Sequence, residues 1–374
     1  MLVPLFKPKF RVSDCTERLA AVFDSGWTGY GKECLKFEEE WRNYTKFSNA
    51  HFINSNTSGL HLALEIFKRE YGWSSSTEIL TTPLTFVATN HTILQAGLKP
   101  RFVDVDDQLC MDLNALRARF TNACKAVVFV GIGGNIGQFY KISAFCKENG
   151  LLLILDAAHM AGTKVNGDQV GREADCSVFS FQAVKNLPTA DSGMICFNSD
   201  YLDELVRKLS WMGIDKTTFT RSQTDGYRWD YEVNELGYKY HGNSVMAAIG
   251  RSALAHLDED NDQRRYLTKV YSGILSSSGN AEIVKQRSDI ESSRHLFQIR
   301  VKNREFLIQA LASKGIGTGV HYKNNLEYSM YRDQYAFAPN AAKLSREVLS
   351  LPLYADMNPG VAHEIGQMIV KIAS

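Results

Sequence analysis

The sequence predicts an α/β protein in which a large unit built on a mainly parallel sheet is followed by a smaller C-terminal α/β unit. Three observations predict it. Short apolar runs of strand length recur along the chain and alternate with segments of helical periodicity. The runs end in small or polar residues that lead into the next helical pattern, as βα units do. At 374 residues the chain is long enough for two cores.

Taken in order, residues 13–24 and 32–45 have helical patterns. Between them, Ser25-Gly26-Trp27-Thr28-Gly29-Tyr30-Gly31 is a glycine-rich turn that either supplies positive φ or serves as a substrate loop. Residues 51–53 form a brief strand. Asn54-Ser55-Asn56-Thr57-Ser58-Gly59 then opens a helix marked by Leu60, Leu62, Leu64, Ile66 and Phe67. Polar residues at such a junction cap the helix. The same geometry attracts phosphate through free N–H groups and the helix dipole.

Residues 78–82 are a strand, and Pro83-Leu84-Thr85-Phe86-Val87-Ala88-Thr89 leads into the next helix. The strand at 100–104 ends in Asp104-Val105-Asp106-Asp107. These acids lack the regular spacing and shaping glycine of a metal loop, so a solvated loop is expected and no metal site. After the strand at 126–130, Gly131-Ile132-Gly133-Gly134-Asn135-Ile136-Gly137 fails the dinucleotide fingerprint, because Ile136 stands where the third glycine belongs. A tight βα turn is expected there, then a helix over 139–149.

The centre of the chain is residues 151–193. Two apolar strands, 151–155 and 176–181, each deliver reactive groups as they end: Asp156 and His159 from the first, Ser180 and Lys185 from the second. Ligands of open α/β sheets sit outside the carboxyl ends of strands, so these four side chains can meet in one crevice. A carboxylate, an imidazole, a hydroxyl and an amine are what pyridoxal phosphate needs. The amine forms a Schiff base, the carboxylate keeps the pyridine nitrogen protonated, and the hydroxyl bonds the phosphate. Lys185 lies among small or uncharged neighbours, where desolvation lowers an amine's pKa and favours the neutral form that attacks carbonyls; a solvated surface lysine is the plainer alternative. Asp156 leaves a buried strand and needs a partner, which a pyridinium or a helix N-terminus supplies equally well. His159 alone also fits a hydrogen-bonded core histidine.

Beyond this centre, residues 194–197 form a strand and 213–231 an excursion loop. A long helix runs from Asn243, a strand covers 296–301, a helix 304–312, and a last helix follows Pro359. The division expected is a large domain over 1–242 and a small one over 243–374.

Composition narrows the function. The net charge is +1, from 42 basic and 41 acidic residues, which gives no case for nucleic acid or an anionic membrane as partner. Seven scattered cysteines without a C-x-x-C pair read as reduced thiols. The start MLVPLFKPKF has no signal-peptide pattern, and no apolar run nears the roughly 18 residues of a membrane span. A cytoplasmic enzyme is expected.

Read together, these residues resemble the DegT/DnrJ/StrS family, the fold-type I, pyridoxal-phosphate enzymes that aminate nucleotide-linked keto-sugars. The likeness runs in order over nearly the whole chain, through Pro4 to Pro8, Asn56 to Leu60, Pro83 to Ala88 and Asp156 to His159. It continues in Phe179 to Lys185, Glu235 to Tyr240, Ala247 to Gly250, His295 to Phe297 and Gly317 to Tyr322. By this resemblance Lys185 is the Schiff-base lysine, Asp156 the partner of the pyridine nitrogen, and Phe86 the residue stacked on the ring. Thr57, Ser58 and Ser180 hold the phosphate, and His159 stands near the ring hydroxyl where the family often has glutamine. Members are typically homodimers with shared active sites, so Lys239 is expected to complete the neighbouring phosphate site.

The chain departs from the family at Lys239, where many members have asparagine, and at Asp191-Ser192-Gly193 in place of Glu-Gly-Gly. His241-Gly242-Asn243 replaces an arginine-containing turn. A branch that removes a sugar hydroxyl carries histidine in place of the lysine, so Lys185 favours transamination. The resemblance implies amino transfer from L-glutamate to a nucleotide-linked 4-keto-6-deoxy sugar, in the setting of lipopolysaccharide and O-antigen biosynthesis. A 3-keto-sugar aminotransferase is the alternative, followed by a dehydratase, epimerase or regulatory homologue. Arg221, Arg228, Arg294 and His321 are candidates to meet the substrate's diphosphate.

Overall fold

The computed structural model describes residues 2–215, 219, 231–276, 278–331, 334 and 337–373. Among these, nine strands belong to the large unit: β1 (His51–Ile53), β2 (Glu78–Thr81), β3 (Lys99–Phe102), β4 (Cys124–Val130), β5 (Leu152–Asp156), the hairpin β6 (Lys164–Val165) and β7 (Asp168–Gln169), β8 (Cys176–Ser180) and β9 (Gly193–Phe197). Seven of them form one sheet in the order β1-β9-β8-β5-β4-β2-β3. Pairings from β8 through β5, β4 and β2 to β3 are parallel; β9 runs antiparallel to both β8 and β1.

Both faces of this sheet are buried, which explains why its strands read as continuous apolar runs. The pleat alternates them: Val127, Phe129, Leu153, Leu155 and Phe179 enter one core, while Ala126, Val128, Ile154 and Val178 enter the other. The first core is closed by α2 (Lys32–Thr45), which follows α1 (Val12–Asp24), and later by α6 (Phe139–Glu148), through Phe37, Trp41, Phe139 and Ile142. The second is closed by α3 (Asn56–Glu70) and α4 (Val87–Gln95), with Leu60, Leu64, Phe67 and Ile93. Helix α5 (Leu113–Arg119) is capped by Asp112, which accepts from the Ala115 N–H, and α7 (Asp200–Ser210) adds Leu205, Val206 and Leu209 to the second core.

One glycine sets the height of the site. A Cβ on Gly193 would lie 2.6 Å from the Phe179 carbonyl oxygen and 2.8 Å from the Asn56 nitrogen. Only glycine lets β9 pass this close beneath the N-terminus of α3.

The long helix expected from Asn243 is two helices, α8 (Ser244–Leu254) and α9 (Leu257–Leu275). They turn to different partners: Ala247 and Leu254 of α8 enter the first core, with α2, while Leu267, Tyr271 and Leu275 of α9 enter a third core. That third core belongs to an antiparallel sheet of β10 (Ala281–Ile283), β11 (Phe297–Val301) and β12 (Val348–Leu351). Helices α10 (Arg304–Ala312) and α12 (Pro359–Ala373) complete it, and α11 (Pro339–Glu347) bridges back to the first core through Ala341 and Leu344. We propose that the smaller unit begins with α9, one helix beyond the 242/243 division, because α8 packs with the large unit.

The acids at 104–107 do structural work. The Asp104 carboxylate accepts from the Asn340 and Ala341 N–H groups at the start of α11, 3.0 and 2.8 Å away. Asp106 accepts from the Gln108 and Cys110 N–H groups in its own turn. Among the described residues no helix is long and apolar enough to cross a membrane.

Candidate active site

Asp156 is the last residue of β5, paired with Val130 on one side and Val178 on the other, so its carboxylate emerges at the carboxyl end of the sheet. Its Oδ2 accepts from Thr89 Oγ1 at 2.7 Å; its Oδ1 accepts from Asn56 Nδ2 at 3.3 Å and the Ala158 N–H at 3.2 Å. Burial pushes this carboxyl above its usual range, against the pull of Thr89, Ala158, Lys185 and Asn56. Thr89 and Asn56 open α4 and α3, so two helix starts converge on one acid.

Lys185 lies on the loop after β8, whose ends are drawn together by Phe181 N–H to Ser192 O and Ala183 N–H to Ala190 O. Burial lowers its pKa from 10.5 to about 8, with Asp156 opposing the shift. About a tenth of the amine is therefore neutral at pH 7, where a surface lysine would hold almost none. The rate at which apoprotein takes up pyridoxal phosphate and turns yellow should rise with pH and level off above about 8. A midpoint near 10.5, the ordinary lysine value, would show that the amine is solvated.

Both groups line a cavity of about 480 Å³, within the range of small-molecule sites. Of the residues expected from sequence, Thr57, Phe86, Asp156, His159, Ser180, Lys185 and His321 line it. Phe86 is 57% exposed, so part of its surface is open to the cavity it lines. Ser58 is not in the lining. Its hydroxyl donates to Asn54 Oδ1 at 2.6 Å, and Asn54 Nδ2 donates to the Lys239 carbonyl, so Ser58 braces the segment that carries Lys239. Arg294 is also outside the lining; it has a left-handed backbone and its N–H is held by Ser292 Oγ. Arg221 and Arg228 lie outside the described residues.

His321 lines the cavity but does not carry charge there. Burial and the nearby Lys185 hold its pKa down at about 4, so it meets a ligand as a neutral hydrogen-bonding group. Burial likewise holds His159 and His295 well below the usual imidazole range. Sequence reasoning gave no individual role to Thr89, Asn56, His295, Tyr322 or Phe6, all of which line this space. Phe6, Asn56, His295 and Tyr322 all stand inside the family's motifs, and Thr89 is one helical turn from Thr85, whose hydroxyl lies 3.1 Å from its own.

The donor set fits pyridoxal phosphate. A desolvated amine and a buried acid already held by three donors flank one cavity, with Ser55, Thr57, Ser180 and the start of α3 beside them. Lys185 would join the coenzyme covalently, Asp156 would hold the ring nitrogen, and Thr57, Ser180 and the start of α3 would hold the phosphate. Bound there, the coenzyme supplies an aldehyde carbon and a ring that withdraws electrons from the substrate carbon. With the coenzyme bound, Lys185 would be the base placed to move the proton at that carbon.

This fold and this cavity define a pyridoxal-phosphate-dependent aminotransferase. The chain belongs to the DegT/DnrJ/EryC1/StrS aminotransferase family, whose model matches residues 11–370. It is similar to the UDP-4-amino-4,6-dideoxy-N-acetyl-β-L-altrosamine transaminase of Campylobacter jejuni, at 33% identity over 92% of this chain and 91% of that protein. The spore coat polysaccharide biosynthesis protein SpsC of Bacillus subtilis is 32% identical over 94% of this chain and 91% of its own. Among solved structures, Helicobacter pylori PseC, an aminotransferase involved in the biosynthesis of pseudoaminic acid, superposes with a TM-score of 0.91 at 26% identity. That match covers 100% of this chain and 99% of PseC. The chain is thus a sugar aminotransferase.

Proposed function

We propose that the enzyme moves the amino group of L-glutamate to the keto carbon of a nucleotide-linked 4-keto-6-deoxy sugar, giving a 4-amino-4,6-dideoxy sugar nucleotide. The observation that carries this reading is the likeness to the Campylobacter jejuni transaminase, whose name places its amino group on carbon 4 of a 6-deoxy sugar on UDP. Lys185 supports it against dehydration, because amino transfer needs an amine that is released and recaptured in each cycle. The likeness to SpsC supports a role in supplying amino sugars for polysaccharide. Purified enzyme given glutamate and a panel of nucleotide 3-keto and 4-keto sugars tests it: the product should carry its new amine on carbon 4. Amination on carbon 3, or none, would overturn it.

The working unit on this reading is a homodimer with shared sites. Among the described residues of the lining, Lys185 is the one basic group that is not a neutral imidazole, and it is committed to covalent chemistry. Asp156 and Asp191 also line the cavity, so a coenzyme phosphate needs a cation from outside. Lys239 supports this role from the partner. It lies away from its own cavity, its Nζ 3.6 Å above the Trp211 ring, in a second pocket bordered by Trp27, Tyr30 and His241.

Lys239→Ala should raise the coenzyme dissociation constant about 10-fold or more, the worth of one charge-assisted hydrogen bond. Neither it nor Lys185→Ala should be active alone at limiting coenzyme. Mixed and reassorted dimers of the two should recover activity, because one of the two sites then carries neither change. No recovery would show that Lys239 serves its own chain.

A further inference from the structure

Two buried imidazoles crowd one wall of the cavity, and their hydrogen bonds fix which nitrogen of each carries the proton. His295 and His159 have ring centroids 4.3 Å apart, with Phe6 stacked on the outer face of His295 at 5.4 Å. His295 Nδ1 lies 2.9 Å from Asn186 Oδ1. The Asn186 amide nitrogen donates to Asn261 Oδ1 and to the Ser293 carbonyl, so Oδ1 is the acceptor and His295 Nδ1 bears hydrogen.

His159 is fixed the other way. Its Nδ1 accepts the Gly133 backbone N–H at 3.1 Å, and Gly133 presents that N–H from a left-handed turn, φ +63°, in the glycine-rich stretch after β4. A neutral imidazole whose Nδ1 is an acceptor carries its proton on Nε2. His159 Nε2 lies 3.1 Å from the Tyr322 hydroxyl, so the imidazole donates and the phenol oxygen accepts.

That leaves one proton unassigned. Burial and the charge of Asp156 push the Tyr322 phenol up, so it stays protonated. Among the described residues its hydroxyl has no hydrogen-bond partner besides His159, and Tyr322 lines the cavity. With one side of its oxygen taken by His159, the O–H turns away from the imidazole and is left to meet a ligand in the cavity that Tyr322 lines. We propose that Tyr322 donates its hydroxyl proton in a hydrogen bond to an oxygen of the molecules bound in this cavity. That oxygen belongs either to the coenzyme ring or to the keto carbon of the amino acceptor. Tyr322 thus touches ligand, and His159 is the positioning residue that aims it. No bond is made or broken in this role.

Tyr322→Phe keeps the ring and removes one oxygen. Three quantities should be measured on it: the coenzyme dissociation constant with the pH titration of the bound colour, the glutamate half-reaction, and the keto-sugar half-reaction. If the acceptor is the coenzyme oxygen, the dissociation constant rises about 10-fold and the colour titration moves. If it is the sugar's oxygen, kcat/KM of the keto-sugar half-reaction falls about 10-fold while the other two hold. Either result supports the assignment and names the source. All three unchanged would overturn it. So would equal losses in all three together with a lowered melting temperature, which would mark a packing role. The sugar arm rests on the function proposed above. A chain that aminated no sugar would still report through coenzyme affinity, and an unchanged affinity would then overturn the assignment to Tyr322 alone.

Discussion

Lys185→Ala should lower kcat/KM for amino transfer by at least about 10⁴-fold, the upper range for loss of a positioned acid–base group. The same change should abolish the yellow colour of the protein as purified. The reason is electrostatic. In water a lysine amine is almost wholly protonated at neutral pH, and protonated amines do not attack carbonyls. Desolvation where the loop after β8 lines the cavity lowers the pKa of this one to about 8. No other lysine lines the cavity among the described residues, so no neighbour can take its place. The variant should still bind the coenzyme non-covalently, since Ser55, Thr57, Ser180 and Asp156 are untouched. Equilibrium dialysis with and without glutamate separates retained binding from lost chemistry. Residual turnover within about 10-fold of the parent would contradict the role assigned to Lys185.

Asp156→Asn should produce two opposite effects. Activity should fall by about 10²–10³-fold, because an amide cannot hold the ring nitrogen in its protonated form and the charge developed at the substrate carbon loses its sink. The apoprotein, in contrast, should melt at the same or a higher temperature at neutral pH. Burial raises the Asp156 carboxyl pKa above 3.8, so the folded state binds a proton more readily than the unfolded one. For an acid shifted in this direction the destabilisation is fully present above the folded pKa and vanishes below the unfolded one. The stability difference between variant and parent should therefore shrink as pH falls toward 3.8. Thr89 can accommodate the amide, because the Thr85 hydroxyl lies 3.1 Å from its own. Thermal melts of both apoproteins across this range check the sign. A variant markedly less stable at neutral pH would show that the carboxylate is a structural anchor, not a stored cost.

How much of this was legible in the sequence follows from what kind of signal each part leaves. The sheet strands were readable because burial on both faces makes them continuous apolar runs, as in β4 and β5. Asp156 and Lys185 were readable because each breaks such an environment with a charge. Helix α7 was missed although Leu202, Leu205, Val206 and Leu209 have helical spacing after the Ser199 cap. The break between α8 and α9 at Ala255–His256 left no glycine or proline to mark it. Strand β10 is a three-residue edge strand, too short for periodicity to show.

Within the site, Ser58 was placed on the phosphate because its sequence position is right, yet its hydroxyl is spent on Asn54. The sequence offers His321 to the substrate's diphosphate, and only its burial beside Lys185 shows it neutral. The pairing of His159 with the Gly133 amide joins residues 26 apart in sequence, and nothing local announces it.

The most direct measurement of the central claim is borohydride reduction of the yellow holoenzyme, followed by digestion and mass spectrometry of the peptides. The account predicts one coenzyme adduct per chain, on the peptide containing Lys185 and on that lysine. An adduct on a different lysine, or none at all from a protein that was yellow, would contradict it.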